Sequence, residues 1–199
     1  MKPIETAHYI LQHYSNISPM KLQKLLYYVK VWGIVSKEYT FNGTFEKWKH
    51  GPVNNEVYQE FKKFGSKNIS INFSQPDSLN INKKELIDLI LELYTPYTAL
   101  TLSAMTHQDA PWQETRLNSV ITDKSIYSYY SKLPFAKNFP FDPEKLFYPV
   151  QSDLHYAFIF DMNAGDADAA SVFPSYNEYK QYITTARDKV KTILSSTLG

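Results

Sequence analysis

His107 and Asp109, two positions apart in Met105-Thr106-His107-Gln108-Asp109-Ala110-Pro111-Trp112, could act as a general base and its orienter. The same residues also fit a helix end. His107 would then sit favourably at the C-terminal dipole, while Asp109 turns the chain into Ala110-Pro111. The second reading is the stronger, because an imidazole base also needs a nucleophile or a metal and the sequence names none. The other histidines are His8, His13, His50 and His155. His8 and His13 are five apart, whereas a helical metal pair wants three or four. With no cysteine, disulfides and thiolate metal sites are excluded. There is no His-Glu-x-x-His pair, no Gly-x-Ser-x-Gly elbow, and the six glycines form no phosphate loop. No catalytic residue, cofactor or metal is therefore assigned.

A second constellation is suited to contact rather than chemistry. In Trp48-Lys49-His50-Gly51-Pro52-Val53, Trp48 and His50 could flank a groove together with Lys24 and Tyr27. Tyr28 and Tyr58 extend the same set of candidate partner-binding residues. The plainer alternative has Trp48 plugging a gap between a ribbon and a helix, with Gly51-Pro52 redirecting the backbone and His50 bonded to a backbone group or water. Trp112 beside Pro111 reads as a core wedge. Basic residues among aromatics over 20–64 suit single-strand stacking in principle. Those aromatics lie mainly on stripes needed for burial, so no nucleic-acid partner is expected.

The element that must position these residues starts at Ser18-Pro19, a cap followed by a proline at the first helical position. Leu22, Leu25, Leu26, Val29 and Trp32 recur at three- and four-residue steps, which predicts a central helix ending near Ser36. Lys21, Lys24 and Lys30 fall largely off that stripe. A first helix is predicted over 4–14. Asn42-Gly43 between Tyr39-Phe41 and Thr44-Glu46 predicts a two-stranded antiparallel hairpin. A helix lined by Val53, Val57, Phe61 and Phe64 then runs to Gly65. Ile69, Ile71 and Phe73 alternate as a weak strand. Asn82 and Glu85 resemble a capping box ahead of Leu86, Leu89, Ile90 and Leu93. Further helices are expected over 98–107 and after Asp123 as a cap, with Ile126, Tyr129, Tyr130 and Leu133 on the latter.

Pro134, Pro140, Pro143 and Pro149 space out an extended segment, and the domain boundary is placed there. Beyond it, residues 155–160 read as a buried strand and 163–171 as a small acidic turn. Ser175 and Glu178 form a capping box for a last helix. The fold class expected is mainly α with a small antiparallel hairpin over residues 1–133, followed over 134–199 by a strand-and-helix extension packed on it.

The blocks "MKLQKLLYYVKVWG", "FEKWKHGPVNNEVYQEFKKFG" and "MTHQDAPWQETR" resemble, in that order and spacing, the Panacea (SocA-like) antitoxin domain and phage-associated GepA-like proteins. The resemblance spans roughly 1–133. It implies an antitoxin of a toxin–antitoxin system that neutralises a cognate protein toxin by direct contact, without catalysis. It equally leaves room for a protease adaptor that delivers a toxin to a cellular protease, and for a mobile-element factor that binds a host protein. From another class, a hydrolase using His107 and Asp109 is the remaining alternative.

Charge adds a partner hypothesis. The formal net charge is only +1, yet residues 1–70 hold ten lysines against five carboxylates. From Leu146 to Tyr179 there is no Lys or Arg, while Asp153, Asp161, Asp166, Asp168 and Glu178 are all present. Two solvated faces of opposite sign account for this simply. A sharper reading has the acidic segment, with its four aspartates, meet a basic toxin surface, so that the extension helps choose the partner, or cover the domain's own basic side. No run approaches the ~20 apolar residues of a bilayer span, and the start lacks a signal-peptide apolar block. A cytoplasmic protein with no membrane partner is expected.

Overall fold

The structure is a computed structural model that describes residues 2–38, 41–70, 81–150 and 172–197. It divides into two compact units, Met1–Lys132 and Leu133–Gly199. Both are mainly helical, and the first also holds a small antiparallel sheet.

The first unit is built around α2 (Pro19–Ser36), whose Ser18 hydroxyl accepts the Lys21 amide at 3.3 Å and whose first residue is Pro19. It ends where Lys37 turns left-handed at φ +65°. Every residue from Leu22 to Ile34 is buried, so α2 has no solvent face. It is enclosed by α1 (Pro3–His13), α3 (Asn55–Phe61), α4 (Ile81–Tyr94), α5 (Ala99–Gln108), α7 (Asp123–Tyr130) and the sheet. A helix enclosed on all sides does not keep polar residues on a wet stripe. The expectation that Lys24 and Lys30 lie off the buried face is therefore wrong. Their stems run through the packing, and each ammonium finds an oxygen at its end: Pro52 O at 3.0 Å for Lys24, Asp123 Oδ1 at 3.0 Å for Lys30. Aromatic packing locks α2 to its neighbours. Trp32 Nε1 donates to the Tyr94 hydroxyl at 2.9 Å, and Tyr28 stacks on Tyr94 at 4.0 Å.

The hairpin sits elsewhere than Asn42-Gly43 predicts. β1 (Phe45–Trp48) and β2 (Gly51–Val53) pair in the register Glu46↔Val53 and Trp48↔Gly51, with Lys49-His50 as the turn. Gly43 keeps an ordinary φ; its missing side chain serves a close approach instead. A Cβ there would stand 2.4 Å from Pro3 Cγ. A third strand absent from the sequence reading, β3 (Val120–Ile121), joins the far edge of β1 and gives the order β2-β1-β3.

Local caps shift by a residue or two. Asn54 caps α3, its Oδ1 accepting the Val57 amide at 3.1 Å, and both Gln23 amide groups hold the Asn54 backbone. The α-helix stops at Phe61, and Lys62–Phe64 tightens into a 3-10 turn before Gly65. Helix α4 has already begun at Ile81, so Asn82 lies inside it. Thr98 caps α5, and a short α6 (Ala110–Gln113) follows. Thr122 rather than Asp123 caps α7, its hydroxyl accepting the Ser125 amide at 3.1 Å; Asp123 is thereby free to meet Lys30.

In the second unit, Pro134–Asn138 is a 3-10 turn rather than an extended run. The Asn138 side chain exchanges two hydrogen bonds with the Tyr148 backbone, and Phe147 bridges Phe173 through two 2.8 Å backbone bonds. Phe135, Phe147, Tyr176 and Tyr179 pack around them. The Ser175 hydroxyl accepts the Glu178 amide at 3.2 Å, opening α8 (Tyr176–Thr197). The expected strand over 155–160, the acidic turn and Asp153, Asp161, Asp166 and Asp168 lie outside the described residues. The alternation at Ile71 and Phe73 lies there too. Among the described residues no helix is long and apolar enough to cross a membrane.

Candidate functional site

The tip of the β1–β2 hairpin is fastened to three helices through alternate carbonyls. Trp48 O accepts Trp112 Nε1 of α6 at 3.3 Å, His50 O accepts the Ser103 hydroxyl of α5 at 2.9 Å, and Pro52 O accepts the ammonium of Lys24. Gly51 between them has φ +105°, and a Cβ there would lie 2.6 Å from Lys24 Cε, 2.7 Å from its Nζ and 2.9 Å from Thr106 Oγ1. Only glycine supplies both the backbone angle and the space. In this way the Trp-x-His-Gly-Pro stretch, the central helix and the Met105–Arg116 stretch, distant in sequence, meet at one place.

What they present outward is an aromatic and basic face. Trp48 packs edge-on against Tyr58 of α3 with centroids 4.9 Å apart, and its Nε1 donates to Glu46 Oε2 at 2.9 Å. The His107 ring stacks on Trp112 at 4.0 Å. Lys47 Nζ lies 4.2 Å from the Trp112 ring centroid and donates to Gln113 O at 2.9 Å. Trp48, Tyr58, Trp112, Lys47 and His107 are part-exposed, and Lys49 and His50 are exposed.

Beneath the face is a buried polar floor. Lys24 is 1% exposed and bonds only Pro52 O among the described residues; burial brings its ammonium down to about 7. Tyr27 and Tyr28 are 0% and 1% exposed, and their hydroxyls have no hydrogen-bond partner among the described residues. Burial, aided by the Asp109 charge, drives both phenols well above the usual tyrosine range. Asp109 accepts a short hydrogen bond from the Tyr130 hydroxyl. Burial raises its carboxyl to about 6, against the lowering effect of hydrogen bonds from Tyr130 and Tyr129. His107 is pushed below its ordinary value, first by burial and then by Lys24, His50 and Lys47.

The sequence-predicted candidates therefore separate. Trp48, His50 and Tyr58 come together on the face. Lys24, Tyr27 and Tyr28 do not line a contact groove with them, because α2 is enclosed; they form the floor. Trp112 is more than a core wedge, since its ring joins the face. His107 and Asp109 are not joined as a base and its orienter: Asp109 is held by Tyr130, while His107 Nε2 is buried without a hydrogen-bond partner among the described residues. Sequence reasoning missed Lys47, the Asp109–Tyr130 pair and the Gln23–Asn54 clasp. Nothing local marks them, because each depends on a contact between distant segments. Among the described residues no three His, Asp or Glu side chains cluster to hold a metal ion.

Comparison with known proteins finds one similarity, over part of the chain. Residues 22–113 match the family model described as "Antitoxin SocA-like, Panacea domain", from the start of the buried run of α2 to the end of α6. No curated protein and no solved structure matches the chain.

Proposed function

We propose that this protein, whose residues 22–113 match the SocA-like Panacea family model, is the antitoxin of a toxin–antitoxin pair and neutralises its cognate toxin by direct binding, without catalysis, through the Trp48–Trp112 face. The observation that carries the reading is the convergence of separated stretches on one part-exposed face of two indoles, a phenol and two histidines. Tryptophan and tyrosine are over-represented among the residues that dominate binding energy at protein interfaces. The rigid backing fits this role: alternate carbonyls of the tip, those of Trp48, His50 and Pro52, are tied down, so little conformational freedom remains to be lost on association.

The test is co-expression with the toxin encoded beside this chain, using growth as the readout. The wild type restores growth. Trp48→Ala combined with His50→Ala loses the rescue while the purified protein keeps its helical signal and unfolding midpoint. Rescue that persists at wild-type strength in that variant sinks the assignment of the face. Titration of purified toxin also reads the absence of catalysis: protection that ends at a fixed molar ratio supports binding, whereas protection by trace amounts refutes it.

A further inference from the structure

We infer that the Trp48–Trp112 face receives an acidic side chain, Asp or Glu, of its protein partner, seated over the hairpin tip between the two indoles. This deepens the antitoxin reading and rests on it. Four basic groups gather at this spot from three elements: Lys24 of α2, Lys47 and His50 of the hairpin, and His107 of α5, the first three each close enough to His107 to act on it. The carboxylates within this neighbourhood are already engaged, Glu46 by Trp48 Nε1 and Asp109 by Tyr130.

Unused donors point the same way. His107 Nε2 is buried and without a hydrogen-bond partner among the described residues. An ammonium has three N–H donors, and Lys24 directs its contact at one neutral carbonyl. A buried cation facing a carbonyl rather than an anion is poorly compensated, and an incoming carboxylate supplies what is missing. Charge complementarity of this kind chooses among partners and steers their encounter.

Poly-L-glutamate serves as the probe, read by the fluorescence of Trp48 and Trp112, while Trp32 is enclosed at 1% exposure and stays constant. We expect a saturable change that weakens with added salt. Its half-saturation point rises about ten-fold or more in Lys47→Met/His50→Gln. Lys47→Arg keeps the wild-type response, and so does Lys62→Met/Lys63→Met, which removes exposed charge from the end of α3. No response to poly-L-glutamate, an equal response to poly-L-glutamine, or an unchanged half-saturation point in Lys47→Met/His50→Gln overturns the inference. Because the assay contains no toxin, its failure is separate from that of the antitoxin reading, which growth rescue judges alone.

Discussion

Lys24 and Lys30 lie six residues apart on the same helix, both buried, and their surroundings differ in the one respect that matters. At the Lys30 end the charge is answered locally: Asp123, at 56% side-chain exposure, faces an ammonium at 7%. That pair lines a cavity of about 230 Å³ with Ile34, Phe41, Asn42, Gly43 and Thr44. At the Lys24 end no carboxylate among the described residues answers; a peptide carbonyl does, and the aromatic face lies above. The protein thus completes one buried charge by itself and leaves the other incomplete beneath the surface proposed for its partner. Burying a charge without its partner costs several kcal/mol, so the second arrangement is a stability penalty kept where binding is proposed.

The largest effect that would sharpen this contrast comes from Gly51→Ala. The new methyl meets Lys24 and Thr106 at under 3 Å on a left-handed backbone. Strain and overpacking together cost about 4 kcal/mol in urea unfolding. A loss below about 1 kcal/mol would mean that the tip is not clamped on Lys24.

Next is the pH dependence of stability. The folded value of Lys24 is about 7, whereas an unfolded lysine titrates near 10.4, so between them the unfolded chain holds more protons. Stability must therefore rise with pH across that interval, by on the order of 3 kcal/mol between about pH 7 and pH 9.5. The raised tyrosines Tyr27, Tyr28 and Tyr130 act in the opposite sense only above about pH 10, outside this window. Lys24→Met removes most of the rise, leaving the part that Lys21, also lowered by burial, supplies; a rise that keeps its wild-type size in Lys24→Met refutes the assignment. Asp109 supplies a counterpart at acid pH. Its folded value of about 6 exceeds the ordinary carboxylate value near 4, so the folded state holds the extra proton. Stability falls by about 2 kcal/mol as pH rises from 4 to 6, and Asp109→Asn flattens that stretch.

Much of this architecture can be read from the chain, and the failures have one physical source. Ser18-Pro19 fixes the start of α2, because a cap and a first-turn proline act within four residues. Helices α1, α3 and α5 likewise follow from local periodicity. The depth of Lys24 does not, because it depends on the elements that close around α2 from elsewhere in the sequence. Trp48 and His50 reach the surface, whereas Lys24, Tyr27 and Tyr28, grouped with them from the sequence, are buried beneath. Lys47, whose ammonium is placed by Trp112 and Gln113, was missed for the same reason.

At the Lys30 end the effects are smaller, which itself tests the comparison. Asp123→Ala removes the anion that faces Lys30, but that carboxylate is more than half exposed and solvent moderates the loss. The expected cost is about 1 kcal/mol. If it exceeded the cost of Gly51→Ala, the two ends of α2 would have to be ranked in reverse. Asn42→Ala closes the series. In a hairpin turn of the kind its sequence suggests, Asn42 would supply a left-handed residue and its loss would be felt. Here Asn42 is exposed, the turn belongs to Lys49-His50, and Gly43 serves the contact with Pro3. The change should stay within about 0.5 kcal/mol, the range of ordinary surface substitutions. Gly43→Ala, by contrast, drives a methyl into Pro3 and costs about 2 kcal/mol although its φ is unremarked. Equal losses at the two positions would restore the turn to Asn42-Gly43 and remove the reason for placing the hairpin tip over Lys24.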